Sequence, residues 1–142
     1  RGLAWLQASA NPDGLLGYRR PNEFPYGPNT LTAAGAVCLL RGGGRHSDPR
    51  LLNLMLPLVR RAANDAALAP DFYRSFFVAE ALALAREDAA SRYALDALKA
   101  RLLASQVRAG AAAGSWPPED AWGAIGGPVY ATALASLSLR RF

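Results

Sequence analysis

Apolar positions in this chain recur at helical spacing, and no segment alternates with period two for long enough to make a strand. Leu3, Leu6 and Ala10, with Trp5 beside them, place the end of a first helix in residues 1–10, and Asn11-Pro12-Asp13-Gly14 stops it. A loop rich in proline, glycine and aromatics follows. Asn29 or Thr30 can cap a second helix that runs to about Leu40. It carries no charge before Arg41, and a helix apolar all round is expected to be buried on all sides. Asp48-Pro49 starts a third helix, with a cap and then proline at the first position. Leu51, Leu52, Met55, Leu58 and Val59 make one broad face of it. Pro57 should kink or split it, and it should end before Pro70. Asp71 caps a fourth helix, Phe72 to Arg86, nearly apolar. A fifth, about Ala90 to Val107, sets Leu95, Leu98 and Leu102 against Arg92, Asp96 and Lys99. After a second long loop, 109–127, Pro128 opens a sixth helix from Val129 to about Arg141.

The pattern is therefore all-α, one domain over residues 1–142, with three helical hairpins at about 1–41, 48–87 and 90–142. Helices 1, 3 and 5 read as amphipathic and 2, 4 and 6 as apolar. That split implies an outer layer facing water and an inner layer facing protein. The chain also overlays on itself at a shift of about 100 residues. Gly14 falls on Gly114, Thr32-Ala33 on Thr132-Ala133, Val37 on Leu137 and Leu39 on Leu139. The middle hairpin joins through Tyr73 and Ser75, which match Tyr130 and Thr132.

Composition narrows the function classes. With 142 residues, 51% of them hydrophobic, the chain can bury a real core. The net charge is +5, but the arginines come as scattered ones and twos, so no nucleic-acid interface is expected. The uncharged run Ala121 to Leu139 is interrupted by Gly126, Gly127 and Pro128, and no transmembrane segment is expected in it. Cys38 is the only cysteine and can form no internal disulfide. Arg1 to Leu6 reads as the middle of a helix, which suggests a segment of a longer protein.

Several of these residues resemble the α/α-toroid proteins with prenyltransferase and squalene-cyclase repeats. Arg1-Gly2, Trp5-Leu6 and Asp13-Gly14 match the first part of that repeat, with Ala10 where glutamine would stand. Gln106 and Gly114-Ser115-Trp116 match it again across a longer spacer. Gly126-Gly127-Pro128-Val129-Tyr130-Ala131-Thr132 resembles the last hairpin of bacterial members known only by their repeats. Asp71-Phe72-Tyr73 into Glu80-Ala81-Leu82 resembles the preceding inner helix. The resemblance implies an inner ring of helices wrapped by an outer ring, of which this chain would be the C-terminal half. In the family's enzymes the central cavity takes isoprenoid chains.

The chemistry implied by the resemblance is not matched residue by residue. The cyclases use an Asp-rich acid motif; the nearest acidic pair here is Glu119-Asp120, in a loop, where a solvated pair is the simpler reading. The prenyltransferases hold zinc with Asp, Cys and His. Cys38 lies in an apolar helix and His46 in a Gly-rich turn, which reads as a core cysteine and a loop histidine. No catalytic residue, metal or cofactor is assigned. Glu80, a carboxylate in an apolar helix, must be paired, hydrogen-bonded or protonated. It could line the cavity or bind an arginine of another helix. Tyr18, Phe24, Tyr26, Tyr73, Trp116, Trp122 and Tyr130 could line an apolar pocket or clamp one hairpin to the next. Tyr73, Ser75, Tyr130 and Thr132 begin inner helices, where a cavity mouth would lie. With Glu80 and Trp122 they are the candidate ligand contacts. The expected role is a non-catalytic module, structural or protein-binding. Its partner would be the rest of the same polypeptide or another protein. The alternative is half of an isoprenoid-processing enzyme with an apolar isoprenoid ligand. Uncovered inner helices would make the segment dimerise or aggregate.

Overall fold

The computed structural model describes residues 1–25, 27–43, 47–65 and 71–142. Tyr26, His46 and the approach to Pro70 lie outside them. The described residues form six helices: α1 (Gly2–Ser9), α2 (Pro28–Gly42), α3 (Pro49–Asn64), α4 (Phe72–Leu84), α5 (Ala89–Ala104) and α6 (Gly123–Leu139). Their only extended pairing is an isolated antiparallel bridge between Ala10 and Leu16. The all-helical expectation holds.

Asp48 and Asp71 cap their helices as their sequence positions imply, and Asp88, not singled out in the sequence, caps α5. Asp48 accepts from the N–H groups of Arg50 and Leu51, Asp71 from Arg74 and Asp88 from Ser91. Hydrogen bonds from Gln7 and from the Leu51 N–H hold the Asp48 carboxyl below the usual carboxylate range, and the Gln7 bond ties α1 to the start of α3. Neither Asn29 nor Thr30 caps α2. Its N-cap is Gly27 at φ 82°, followed by Pro28, and no side chain caps it. Pro57 neither splits nor ends α3, which runs through it. Asn53 and Pro57 are both exposed, so the Asn53 carbonyl that loses its helical partner faces water. Pro128 does open a helical segment. The turn before it, from Gly123, is separated by Gly127 at φ 66°, ψ −169°.

The even-numbered helices pack in series, α2 on α4 and α4 on α6, while α3 packs on α5 and both press against α4. Residues 78–83 of α4 are buried without a break, which takes cover on every side. In α3, Leu51, Met55, Val59, Ala62 and Ala63 are buried on one face; in α5, Ser91, Ala94, Leu95, Leu98 and Leu102 do the same. Arg60 joins these two helices by pairing with Asp88 at 2.6 Å. Arg101 joins them again by donating to the Ala63 carbonyl at 2.8 Å.

The expectation that every apolar helix is buried all round is corrected for α2 and α6. Cys38 on α2 is exposed rather than a core residue. On α6, Ile125 and Val129 are 85% and 81% exposed. Only α4 has an inner-layer neighbour on both sides, and lack of charge alone does not supply one.

The internal repeat survives as geometry. The Thr32 hydroxyl accepts the Leu16 N–H at 3.0 Å, and the Thr132 hydroxyl accepts the Trp116 N–H at 3.2 Å. Each latch pins a loop to an inner helix four residues after its proline, Pro28 or Pro128, and each loop inserts one buried apolar side chain, Leu16 or Trp116. Gly27-Pro28 and Gly127-Pro128 also correspond, both glycines at positive φ. Trp116 adds an Nε1–H bond to the Leu102 carbonyl at 2.7 Å, so it clamps its own hairpin.

Glu80 is 5% exposed and pairs with Arg41 at the end of α2 and Arg141 just past α6. One carboxylate thus joins the C-terminal ends of all three inner helices. Both arginines keep contact with water, so they are only partly desolvated.

Two outcomes follow for stability. Thr32→Val should cost about 1–3 kcal/mol, because it leaves the buried Leu16 N–H without an acceptor. A urea midpoint unchanged from wild type would remove the latch from the account. At the carboxylate node, the double variant Arg41→Met/Arg141→Met should be less stable than Glu80→Leu. The double variant strands a carboxylate whose side chain is 6% exposed, whereas Glu80→Leu strands two arginines whose side chains are 58% and 40% exposed, with only the Arg141 Nε buried among their pairing atoms. The reverse order in thermal unfolding would refute this assignment.

Candidate functional site

The N-terminal ends of the inner helices converge on a cleft of about 410 Å³. α2 contributes Thr30 and Leu31, α4 contributes Tyr73, and α6 contributes Trp122 at its cap, Ile125, Gly126 and Tyr130. Tyr18 reaches in from the first long loop. That loop is held by a backbone bond from the Tyr18 N–H to the Glu23 carbonyl at 2.8 Å and by the Arg19–Glu23 ion pair at 2.8 Å.

The rings are fixed rather than loose. Tyr73 meets Trp122 edge-on with centroids 6.2 Å apart, and meets Phe77 at 5.2 Å and 85°. Gly126 lets the Tyr130 ring lie against the backbone. A β-carbon there would stand 2.5 Å from Tyr130 Cγ.

Asp120 ties the start of α4 to two residues of the cleft, Trp122 and Tyr130. Its Oδ2 accepts the Phe72 N–H at 2.9 Å and the Tyr130 hydroxyl at 3.2 Å, and its Oδ1 accepts the Trp122 N–H at 3.2 Å. The carboxylate thus serves as an extra cap for α4 and holds two of the cleft's rings. Glu119 beside it is exposed. The reading of Glu119-Asp120 as a solvated pair fails at Asp120, whose bonds reach across 48 residues to α4. No local signal in the sequence marks such a long-range partner.

The other anticipated residues fall into two groups. Tyr73, Trp122 and Tyr130 line the cleft together. Thr132 faces the loop latch, Ser75 is buried in α4, and Glu80 is at the arginine node; these three lie outside the cleft wall. Trp116 belongs to the core. Leu31 and Ile125 are lining residues that the sequence did not single out, and Thr30, read there only as a cap, is a third. Among the described residues no group of three or more His, Cys, Asp or Glu is placed to hold a metal ion. Among those residues, too, no helix is long and apolar enough to cross a membrane.

Burial raises the Tyr130 phenol above its ordinary value, and the Asp120 charge beside it adds to the shift. A raised phenol contributes stability that is fully present below the unfolded tyrosine value of about 10 and is lost as pH rises past it. Urea midpoints measured from pH 8 to 11 should therefore fall in the wild type and fall less steeply in Tyr130→Phe. Parallel slopes would show that Tyr130 carries none of the alkaline loss.

No protein-family model, no curated protein and no solved structure matches this chain.

Proposed function

We propose that this chain is a non-catalytic helical-repeat module of the α/α-toroid kind, which binds an apolar group of a ligand or partner in its aromatic cleft. The observation that carries the reading is the convergence of four rings, Tyr18, Tyr73, Trp122 and Tyr130, with Leu31 and Ile125 around about 410 Å³. That volume lies in the range of small-molecule sites, and an apolar wall with few polar groups is their usual lining. The disposition of the acids supports binding rather than reaction. Asp120 is occupied by three donors, and Glu80 is spent on two arginines away from the cleft.

A second reading is a part of an isoprenoid-processing enzyme. Aromatic faces, which attract positive charge, favour it. On that reading the proton donor would come from outside the cleft wall described here.

Tryptophan fluorescence titrated with squalene and with farnesyl diphosphate tests both, in a Trp5→Phe background that removes one remote indole. The expected result is saturable quenching by at least one ligand, weakened tenfold or more in Tyr73→Ala. A flat response to both would dismiss the cleft as a binding site. Conversion of either ligand to product would favour the enzymatic reading over the binding one.

A further inference from the structure

The wall of the aromatic cleft holds no charged side chain among the described residues, although the chain carries 16 Lys and Arg and 11 Asp and Glu. The basic groups next to its rings in sequence are engaged elsewhere. Arg19 and Arg20, after Tyr18, are exposed, and Arg19 is paired with Glu23 at 2.8 Å. Arg74 follows Tyr73 but acts on α5: burial lowers the Arg101 guanidinium there, and the nearby Arg74 charge adds to it.

The fixed charges around the inner end of the cleft oppose one another. Three helix N-termini meet there, each equivalent to about half a positive charge, or about +1.5 together. Asp71 and Asp120 stand at the start of α4, where both accept backbone N–H groups, and bring about −2 if both are ionised. Neither sign dominates. An ion entering this wall would shed water and meet no side chain of opposite charge, whereas an uncharged group loses far less.

The polar groups that remain in the wall are neutral. The hydroxyls of Tyr18, Thr30 and Tyr73 make no hydrogen bond to another described residue, and each can donate or accept. The Tyr130 hydroxyl is already given to Asp120, so Tyr130 offers its ring.

We propose, on the reading of this cleft as a binding site, that it takes a neutral amphiphile. Its ligand is a hydrocarbon body ending in one uncharged hydrogen-bonding group, such as an alcohol. The same body with an anionic or cationic end is rejected.

Decanol, decanoate and decylammonium share one chain and at neutral pH end in a neutral, an anionic and a cationic group. Tryptophan fluorescence in the Trp5→Phe background, in physiological salt, should show decanol binding at least about tenfold more tightly than either ion. Ile125 lines the cleft yet is 85% exposed, so Ile125→Lys should leave the fold intact. It should narrow the gap between decanol and decanoate and widen that between decanol and decylammonium. Equal affinity for all three would keep the cleft as a binding site but overturn this proposal, because the charged ends would then sit in water. Tighter binding of either ion, or gaps that Ile125→Lys does not move, would also overturn it. Failure of decanol alone, where squalene or farnesyl diphosphate quenches, would overturn the neutral-amphiphile assignment. Silence from every ligand would remove the cleft as a binding site and this proposal with it.

Discussion

Close approach of the inner helices is the constraint on which the rest of this structure depends. α2, α4 and α6 pack in series, and Ala33, Ala36, Ala79, Ala81, Ala131 and Ala135 on them are all fully buried. Alanine gives up little side-chain entropy on burial and is the best helix former, so it allows close packing at low cost. It also contributes little apolar area per residue. The larger burial comes from the outer helices, which lay Leu51, Met55, Val59, Leu95, Leu98 and Leu102 across the inner layer. A small-residue inner layer and a large-residue outer layer divide the work. The first sets the spacing and the second removes most of the apolar surface from water.

Polar groups then fix the inner layer at both ends. Glu80 gathers Arg41 and Arg141 where the helices finish, and Asp120 gathers Phe72, Trp122 and Tyr130 where α4 and α6 begin. Glu80 is buried and Asp120 part-buried, and a buried ion pair by itself adds little net stability. The two threonine latches serve the same end for the loops. Thr32 and Thr132 each satisfy one backbone N–H that would otherwise be buried unpaired. The aromatic cleft is a consequence of this anchoring: its rings sit on helix ends and loops that are all held from behind.

The sequence already determined most of what is local. Helical periodicity placed all six helices, and Asp48 and Asp71 cap theirs as their positions indicated. The correspondence of Thr32 with Thr132 foretold a repeated contact, although it could not say that the contact was a latch to Leu16 and Trp116. Of the anticipated ligand contacts, Tyr73, Trp122 and Tyr130 meet in one cleft, because residues at the starts of parallel-running inner helices come together at one end.

What only the tertiary structure decided is everything that depends on neighbours. Apolar composition could not distinguish α4, covered on both sides, from α2, exposed at Cys38, and α6, exposed at Ile125 and Val129, because burial belongs to a pair of surfaces and not to one helix. Asp120 reads in the sequence as one more loop acid, and its bond to Phe72 arises only when the last loop folds back on α4. Glu80 had to find a partner, since a lone buried carboxylate is too costly to keep charged. Sequence stated that requirement, but the choice of Arg41 and Arg141 was made by the packing that brings three helix ends within reach of one side chain.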